Sequence, residues 1–176
     1  VEGSVLWLFE DNATAATNLR KEAQKRGLAP ERLVFAPKME LSEHLARHKL
    51  ADLFIDTLPC NAHTTASDAL WAGLPVLTCM GESFASRVAA SLLNAIEMPE
   101  LITSSLEEYE ELAIALGNDH QRVLALKQKL ELNKLTTPLF DSSLFTQDIE
   151  NLYVNMSQIS QSHMGPEIMG PTFQVT

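Results

Sequence analysis

The residues from Asp56 to Asp68, Asp-Thr-Leu-Pro-Cys-Asn-Ala-His-Thr-Thr-Ala-Ser-Asp, carry the chemistry most legible in this chain. An apolar strand, Leu53-Phe54-Ile55, runs through a polar turn into a helix. The first-turn amides of a helix have no partners within it and sit at the positive end of its dipole, so a turn holding His63, Thr64 and Thr65 suits a phosphate. Asp68 falls one helical turn after Thr64, on the same face, where a carboxylate can accept hydrogen bonds from ribose hydroxyls. The same residues fit a plainer reading, with Thr as an ordinary helix cap and Asp68 as an exposed first-turn acid.

The elements that must position this turn alternate. Val5–Phe9, Leu33–Phe35, Leu53–Ile55 and Pro75–Thr78 read as short buried strands. Between and after them, helices are predicted from about Asn12 to Arg26, Ser42 to Lys49, Thr64 to Trp71 and Phe84 to Ala95. Gly27 and Gly73 stop the first and third of these, and Ser42 is read as a cap for the second. Nearly unbroken apolar strands separated by helices imply a parallel sheet covered on both faces, the doubly wound α/β class. After Glu97 the pattern is helical only: Leu106–Leu116, His120–Asn133 and Leu144 to about Ser157. Pro138 lies in the linker before the last. The expected division is a domain over residues 1–157 and a mobile tail over 158–176, where Met164-Gly165-Pro166 and Met169-Gly170-Pro171 form two similar tripeptides.

Composition narrows the partners. The 176 residues are 45% hydrophobic and carry a formal charge of −10. That charge argues against a general nucleic-acid or anionic-membrane binder, although a nucleotide held by local amides remains compatible. No apolar run approaches membrane-spanning length, so no membrane partner is expected. Cys60 and Cys79 form no metal-ligand spacing and read as free thiols in a reducing, cytoplasmic compartment. The chain opens almost directly into a strand without an initiator Met, which suggests a piece of something longer. Bound ligands belong outside the carboxyl ends of such strands. That rim gathers the loops after Phe35, Ile55 and Thr78, the last bearing Gly81, Glu82 and Ser83.

Other features have simple readings. His44 and His48 can chelate by spacing but lack a third ligand, so no metal is expected and a solvated helix face is favoured. Arg87 fits either a ligand contact or a hold on a neighbouring element. Trp7 and Trp71 read as core. Cys60 reads as a small buried filler, and Glu107, Glu108, Glu110 and Glu111 as a wet helix face.

The runs Cys60–Thr65, Asp68–Pro75 and Gly81–Ser91, flanked by Ser4–Leu8, Leu50–Asp52, Glu107–Tyr109 and Ser143–Tyr153, resemble the O-linked N-acetylglucosamine transferase family. The resemblance covers roughly Ser4 to Met156. It implies a GT-B glycosyltransferase made of two Rossmann-like halves, with this chain as the carboxyl-terminal, donor-holding half followed by helices. By resemblance His63, Thr64 and Thr65 hold the donor diphosphate, Asp68 the ribose, and His44 and Arg47 the uracil. The family has a ribose-contacting Lys near the position of Leu41, where this loop offers Lys38. Gly81, Glu82 and Ser83 form a possible sugar or phosphate loop.

The resemblance also implies UDP-GlcNAc as donor substrate, no cofactor or metal, and Ser or Thr hydroxyls of acceptor polypeptides as targets. The family's phosphate-neutralising Lys precedes the position of Val1. The amino-terminal half and the tetratricopeptide repeats also lie outside the chain, so the catalytic groups are not identified here and the isolated chain is expected to be inactive. No Asp-x-Asp sequence occurs, in keeping with oriented amides and donors, rather than a divalent ion, stabilising the leaving diphosphate. The alternatives are a GDP-fucose-dependent protein O-fucosyltransferase of the SPINDLY type, a non-catalytic nucleotide-binding or scaffolding domain, and, third, a nucleotide-sugar epimerase.

Overall fold

The computed structural model describes residues 1–163; the two Met-Gly-Pro tripeptides and most of the expected tail lie outside the described residues. Five short strands alternate with helices: β1 (Leu6–Phe9), α1 (Ala13–Lys25), β2 (Leu33–Ala36), α2 (Leu41–Arg47), β3 (Phe54–Ile55), α3 (Thr64–Trp71), β4 (Val76–Cys79), α4 (Val88–Ala95), β5 (Ile102–Thr103), α5 (Leu106–Asn118), α6 (His120–Thr136) and α7 (Ser142–His163). The chain forms two compact units, Val1–Thr137 and Pro138–Thr176. Within the second, a short 3-10 turn at Pro138–Phe140 leads into α7, where the Asp141 carboxylate accepts from the Leu144 amide at 2.9 Å.

All strand pairs are parallel, as an α/β chain requires. They form two ladders rather than one sheet: β1 pairs only with β2, while β4 lies between β3 and β5. The fifth strand escapes the sequence reading because Ile102-Thr103 is only two residues long and has no apolar run around it.

Local signals set the helix ends. Asn12 caps α1 through its side chain, and Gly27, at φ 78°, closes it. The Leu28 amide bonds the Ala23 carbonyl and the Gly27 amide that of Gln24, the left-handed closure that glycine adopts without a Cβ penalty. Gly73, at φ 86°, ends α3 in the same manner. The expected Ser42 cap is displaced: α2 begins at Leu41 after Glu40, so Ser42 already lies inside its first turn.

The core centres on β4, every residue of which is buried. Leu70 of α3, Leu93 of α4, Leu116 of α5 and Leu130 of α6 are fully buried with it. Each such side chain removed from water contributes roughly 1.5–3 kcal/mol. The β1–β2 ladder differs, with Leu6 46% and Phe9 51% exposed. Trp7 and Trp71, read as core from sequence, are 37% and 56% exposed. Trp71 is the last residue of α3, and β1, which carries Trp7, pairs with β2 alone among the described residues.

Candidate functional site

Asp56 follows β3 directly and shapes the turn ahead of α3. Its carboxylate is 5% exposed. One oxygen accepts from the amides of Thr57 at 2.8 Å and Ala62 at 2.7 Å; the other accepts from the Thr78 hydroxyl of β4 at 2.6 Å. A buried charge is tolerated when it is met by donors in this way. The Tyr109 hydroxyl of α5 donates to the Asp56 carbonyl at 2.7 Å. Burial, followed by the nearby Asp56 and Cys79, raises the Tyr109 phenol far above its ordinary value, so it stays a donor. The turn also holds itself. Thr57 donates to the Cys60 carbonyl, Asn61 donates to the Thr57 carbonyl, and the Asn61 amide bonds Ala85 at 2.8 Å.

This frame sets the amino end of α3. His63 occupies the cap position with its backbone at φ −105° and ψ −93°, and no side chain caps the helix. The first intrahelical bond is from Ser67 to the His63 carbonyl, so the amides of Thr64, Thr65 and Ala66 precede the helix's own ladder. By contrast, Asn12, Ser105 and Asp119 each cap their helices by accepting an amide. The His63 ring stands edge-on to Phe84 at 6.0 Å, and its Nε2 is buried without a hydrogen-bond partner. The plain-cap reading of the His-Thr-Thr turn therefore does not describe this helix.

A cleft of about 1210 Å³ brings His63 and Thr65 together with His44, His48 and Arg47 of α2 and its following turn. Arg47 donates to the Pro37 carbonyl at 2.9 Å and to His44 Nδ1 at 2.5 Å, and lies 5.9 Å from the Trp7 ring centre. With Nδ1 accepting from Arg47, the neutral His44 ring carries its proton on Nε2. Burial, then the charges of Arg47 and His48, lower the pKa of His44 below its ordinary 6.5, against an opposing pull from Asp68. His48 donates from Nδ1 to the His44 carbonyl at 2.8 Å, and the two rings are edge-to-face at 4.8 Å. This pair is half-buried rather than the solvated face expected.

The remaining candidates fall beside the cleft. Thr64 is exposed and Asp68 half-buried, both off the cleft wall. Lys38 is exposed in the loop after β2, also away from the wall. Gly81, Glu82 and Ser83 lie outside it as well, in a loop closed on itself: the Gly81 amide bonds the Ser86 carbonyl, and Ser83 and Ser86 cap one another. A Cβ on Gly81 would lie 2.5 Å from Ser86 Oγ, which accounts for glycine there. The loop nevertheless abuts the turn through Phe84 and Ala85. Arg87 is exposed, with no carboxylate or carbonyl on its guanidinium among the described residues. Cys60 is exposed and lines the cleft, correcting its reading as a buried filler; Cys79 is the buried thiol.

Sequence reasoning missed the roles of Asp56, Asn61 and Tyr109. An acid directly after an apolar strand was the available signal for the first; the other two depend on contacts distant in sequence. No described helix is long and apolar enough to cross a membrane.

The family model described as Glycosyl transferase family 41 matches residues 1–149. The chain is 38% identical over 168 residues to a probable UDP-N-acetylglucosamine peptide N-acetylglucosaminyltransferase, SEC, of Arabidopsis thaliana, covering 95% of this chain and 17% of that protein. It is 38% identical over 164 residues to the UDP-N-acetylglucosamine peptide N-acetylglucosaminyltransferase of Caenorhabditis elegans, covering 93% of this chain and 14% of that one. A solved mutant of the Thermobaculum terrenum O-GlcNAc transferase superposes with a TM-score of 0.82 at 32% identity, covering 86% of this chain and 30% of that chain.

Proposed function

The chain belongs to glycosyl transferase family 41, and from that premise we propose that it is the donor-holding part of a protein O-GlcNAc transferase, binding UDP-GlcNAc for transfer to Ser or Thr hydroxyls. One observation carries the reading: the uncapped amino end of α3 opens into the cleft that also holds His44 and Arg47. The first-turn amides, the hydroxyls of Thr64 and Thr65, and His63 Nε2 when it carries a proton are donors for a diphosphate. His44 Nε2–H is a donor for a carbonyl of the uracil, with Arg47 fixing the ring's tautomer. Asp68 receives the ribose hydroxyls, and Lys38 is the nearby cation. Gly81, Glu82 and Ser83 border the sugar.

Breaking the sugar–phosphate bond leaves extra negative charge on the nucleoside diphosphate. Donors already aimed at it bind that charge more tightly than they bind the ground state, which lowers the barrier without reorganisation. The group that accepts the hydroxyl proton, acceptor contacts and tetratricopeptide repeats belong to the remainder of the full-length enzyme, and the 176 residues alone do not turn over. The cytoplasm is the proposed compartment, and no metal is assigned a role.

Calorimetric titration with UDP and GDP tests this. The expected result is preferential UDP binding, weakened by about 1–3 kcal/mol in His63→Ala and in Asp68→Ala, the scale of losing a hydrogen-bond partner in a desolvated site. Equal affinity for GDP, or variants indistinguishable from wild type, would overturn the assignment.

A further inference from the structure

His48 stands one helical turn after His44, at the carboxyl end of α2, half-buried on the wall of the same cleft. Binding of UDP-GlcNAc as proposed above gives it no contact. Its Nδ1 lies 2.8 Å from the His44 carbonyl oxygen. A carbonyl only accepts, so Nδ1 carries the proton and, in the neutral ring, Nε2 keeps its lone pair. His44 is the opposite case. Its Nδ1 accepts from the Arg47 guanidinium, which puts its own proton on Nε2. Burial, the largest influence on His44, disfavours a second proton there. Two imidazoles with ring centres 4.8 Å apart, edge to face, therefore hold opposite tautomers, each fixed by a partner within the same stretch of chain. One offers an N–H to the cleft and the other a lone pair.

Arg47 is occupied in holding this arrangement. One terminal nitrogen donates to the Pro37 carbonyl and the other to His44, and the guanidinium lies 5.9 Å from the Trp7 ring centre. Reading of a base edge then falls to the two rings. No described residue donates to His48 Nε2, so its acceptor capacity is open to a ligand in the cleft. Uracil and cytosine have nearly the same size, and only the polarity of their hydrogen-bonding edges tells them apart. Uracil presents an N3–H flanked by carbonyls, which matches an acceptor beside a donor. Cytosine has a lone pair on N3 and an amino group in place of one carbonyl.

We propose that His48 Nε2 accepts the N3–H of uracil while His44 Nε2–H donates to the adjacent carbonyl, so that His48 makes the site selective for uridine over cytidine nucleotides. The inference rests on the nucleotide-sugar reading above and adds to it the group that chooses the base. Cytosine in the same pose sets its N3 lone pair against that of His48 and leaves two desolvated acceptors without a proton between them, so rejection is built in as well as attraction.

Calorimetric titration of the full-length gene product with UDP, CDP and N3-methyl-UDP provides the test, on wild type, His48→Ala and His48→Gln. Wild type should bind CDP and N3-methyl-UDP each about 100-fold more weakly than UDP, the scale of an acceptor left unpaired in a desolvated site. In His48→Ala, UDP should lose about 10-fold in affinity while CDP changes by less than about 2-fold, so that the gap narrows from the uridine side. His48→Gln, whose side-chain carbonyl also accepts, should recover most of the UDP affinity. A merely structural His48 would weaken UDP and CDP equally. That result, or N3-methyl-UDP bound as tightly as UDP, would overturn the proposal. Preference for GDP over UDP in the same titrations would overturn the donor reading along with it. UDP favoured over GDP, with a CDP gap untouched by His48→Ala, would overturn this inference alone.

Discussion

The half of the first unit built on β4 and the half built on β1 have similar strand sequences and opposite surroundings. Val76–Cys79 is buried throughout, under α3, α4 and α5. Leu6–Phe9 has one half-buried residue, and the rest are exposed. Apolar content therefore does not determine which strand is a core; the presence of elements on both faces and both edges does. The candidate site spans the two halves, taking its rigid turn from the first and His44 and Arg47 from the second.

The sharpest way to break this comparison is to remove one large side chain from each half. Leu77→Ala in β4 should cost about 2–5 kcal/mol, because the fully buried site cannot collapse around the lost volume. Phe9→Ala in residues 1–176 should cost about 1 kcal/mol or less, as for other substitutions on open surface. Chemical denaturation of both variants checks this, and equal losses would erase the distinction between the halves.

Asp56→Asn probes the frame linking β3 to α3. An amide retains one oxygen acceptor but presents a donor where Thr78 or the turn amides also donate, and the expected loss is about 1–3 kcal/mol. Weakened UDP binding should accompany it, since the same bonds aim the amino end of α3. A variant that loses stability yet binds UDP normally would separate frame from site.

The smallest effect is electrostatic. NMR titration of His44 should give a midpoint below 6.5, raised towards the ordinary value in Arg47→Met and lowered further in Asp68→Asn, since Asp68 favours the charged ring. The sign for stability follows from the neutral ring being preferred in the folded chain. The contribution is complete above the ordinary histidine value and is lost as pH falls through the depressed one. An Asp68→Asn midpoint unchanged from wild type would mean that α2 and α3 are not electrostatic neighbours.

Much of this was legible from local spacing. The bounds of α3 were readable at both ends, because a polar turn opens the helix and Gly73 closes it within a single short stretch. The rule that ligands lie at the carboxyl ends of parallel strands singled out the loop holding His63, while His44 and Arg47 entered only through the family resemblance. What escaped depends on distant partners. The Asp56–Thr78 bond joins residues 22 apart in sequence, and the Tyr109–Asp56 bond joins residues 53 apart. Trp7 was misread because burial of a strand depends on its neighbour, and among the described residues nothing pairs with the free edge of β1. Cys60 was misread because the exposure of a turn residue depends on how the turn folds, which no apolar pattern records.

The missing cap on α3 ties the conformational equilibrium of the chain to the composition of its solvent. A helix that satisfies its own first turn is indifferent to dissolved anions. One that does not gains stability from any anion that docks there, as the logarithm of one plus the anion's concentration over its dissociation constant. Should phosphate or sulfate raise the melting temperature well beyond what chloride does at matched ionic strength, the fold itself would be reporting on its ligand before any sugar is transferred.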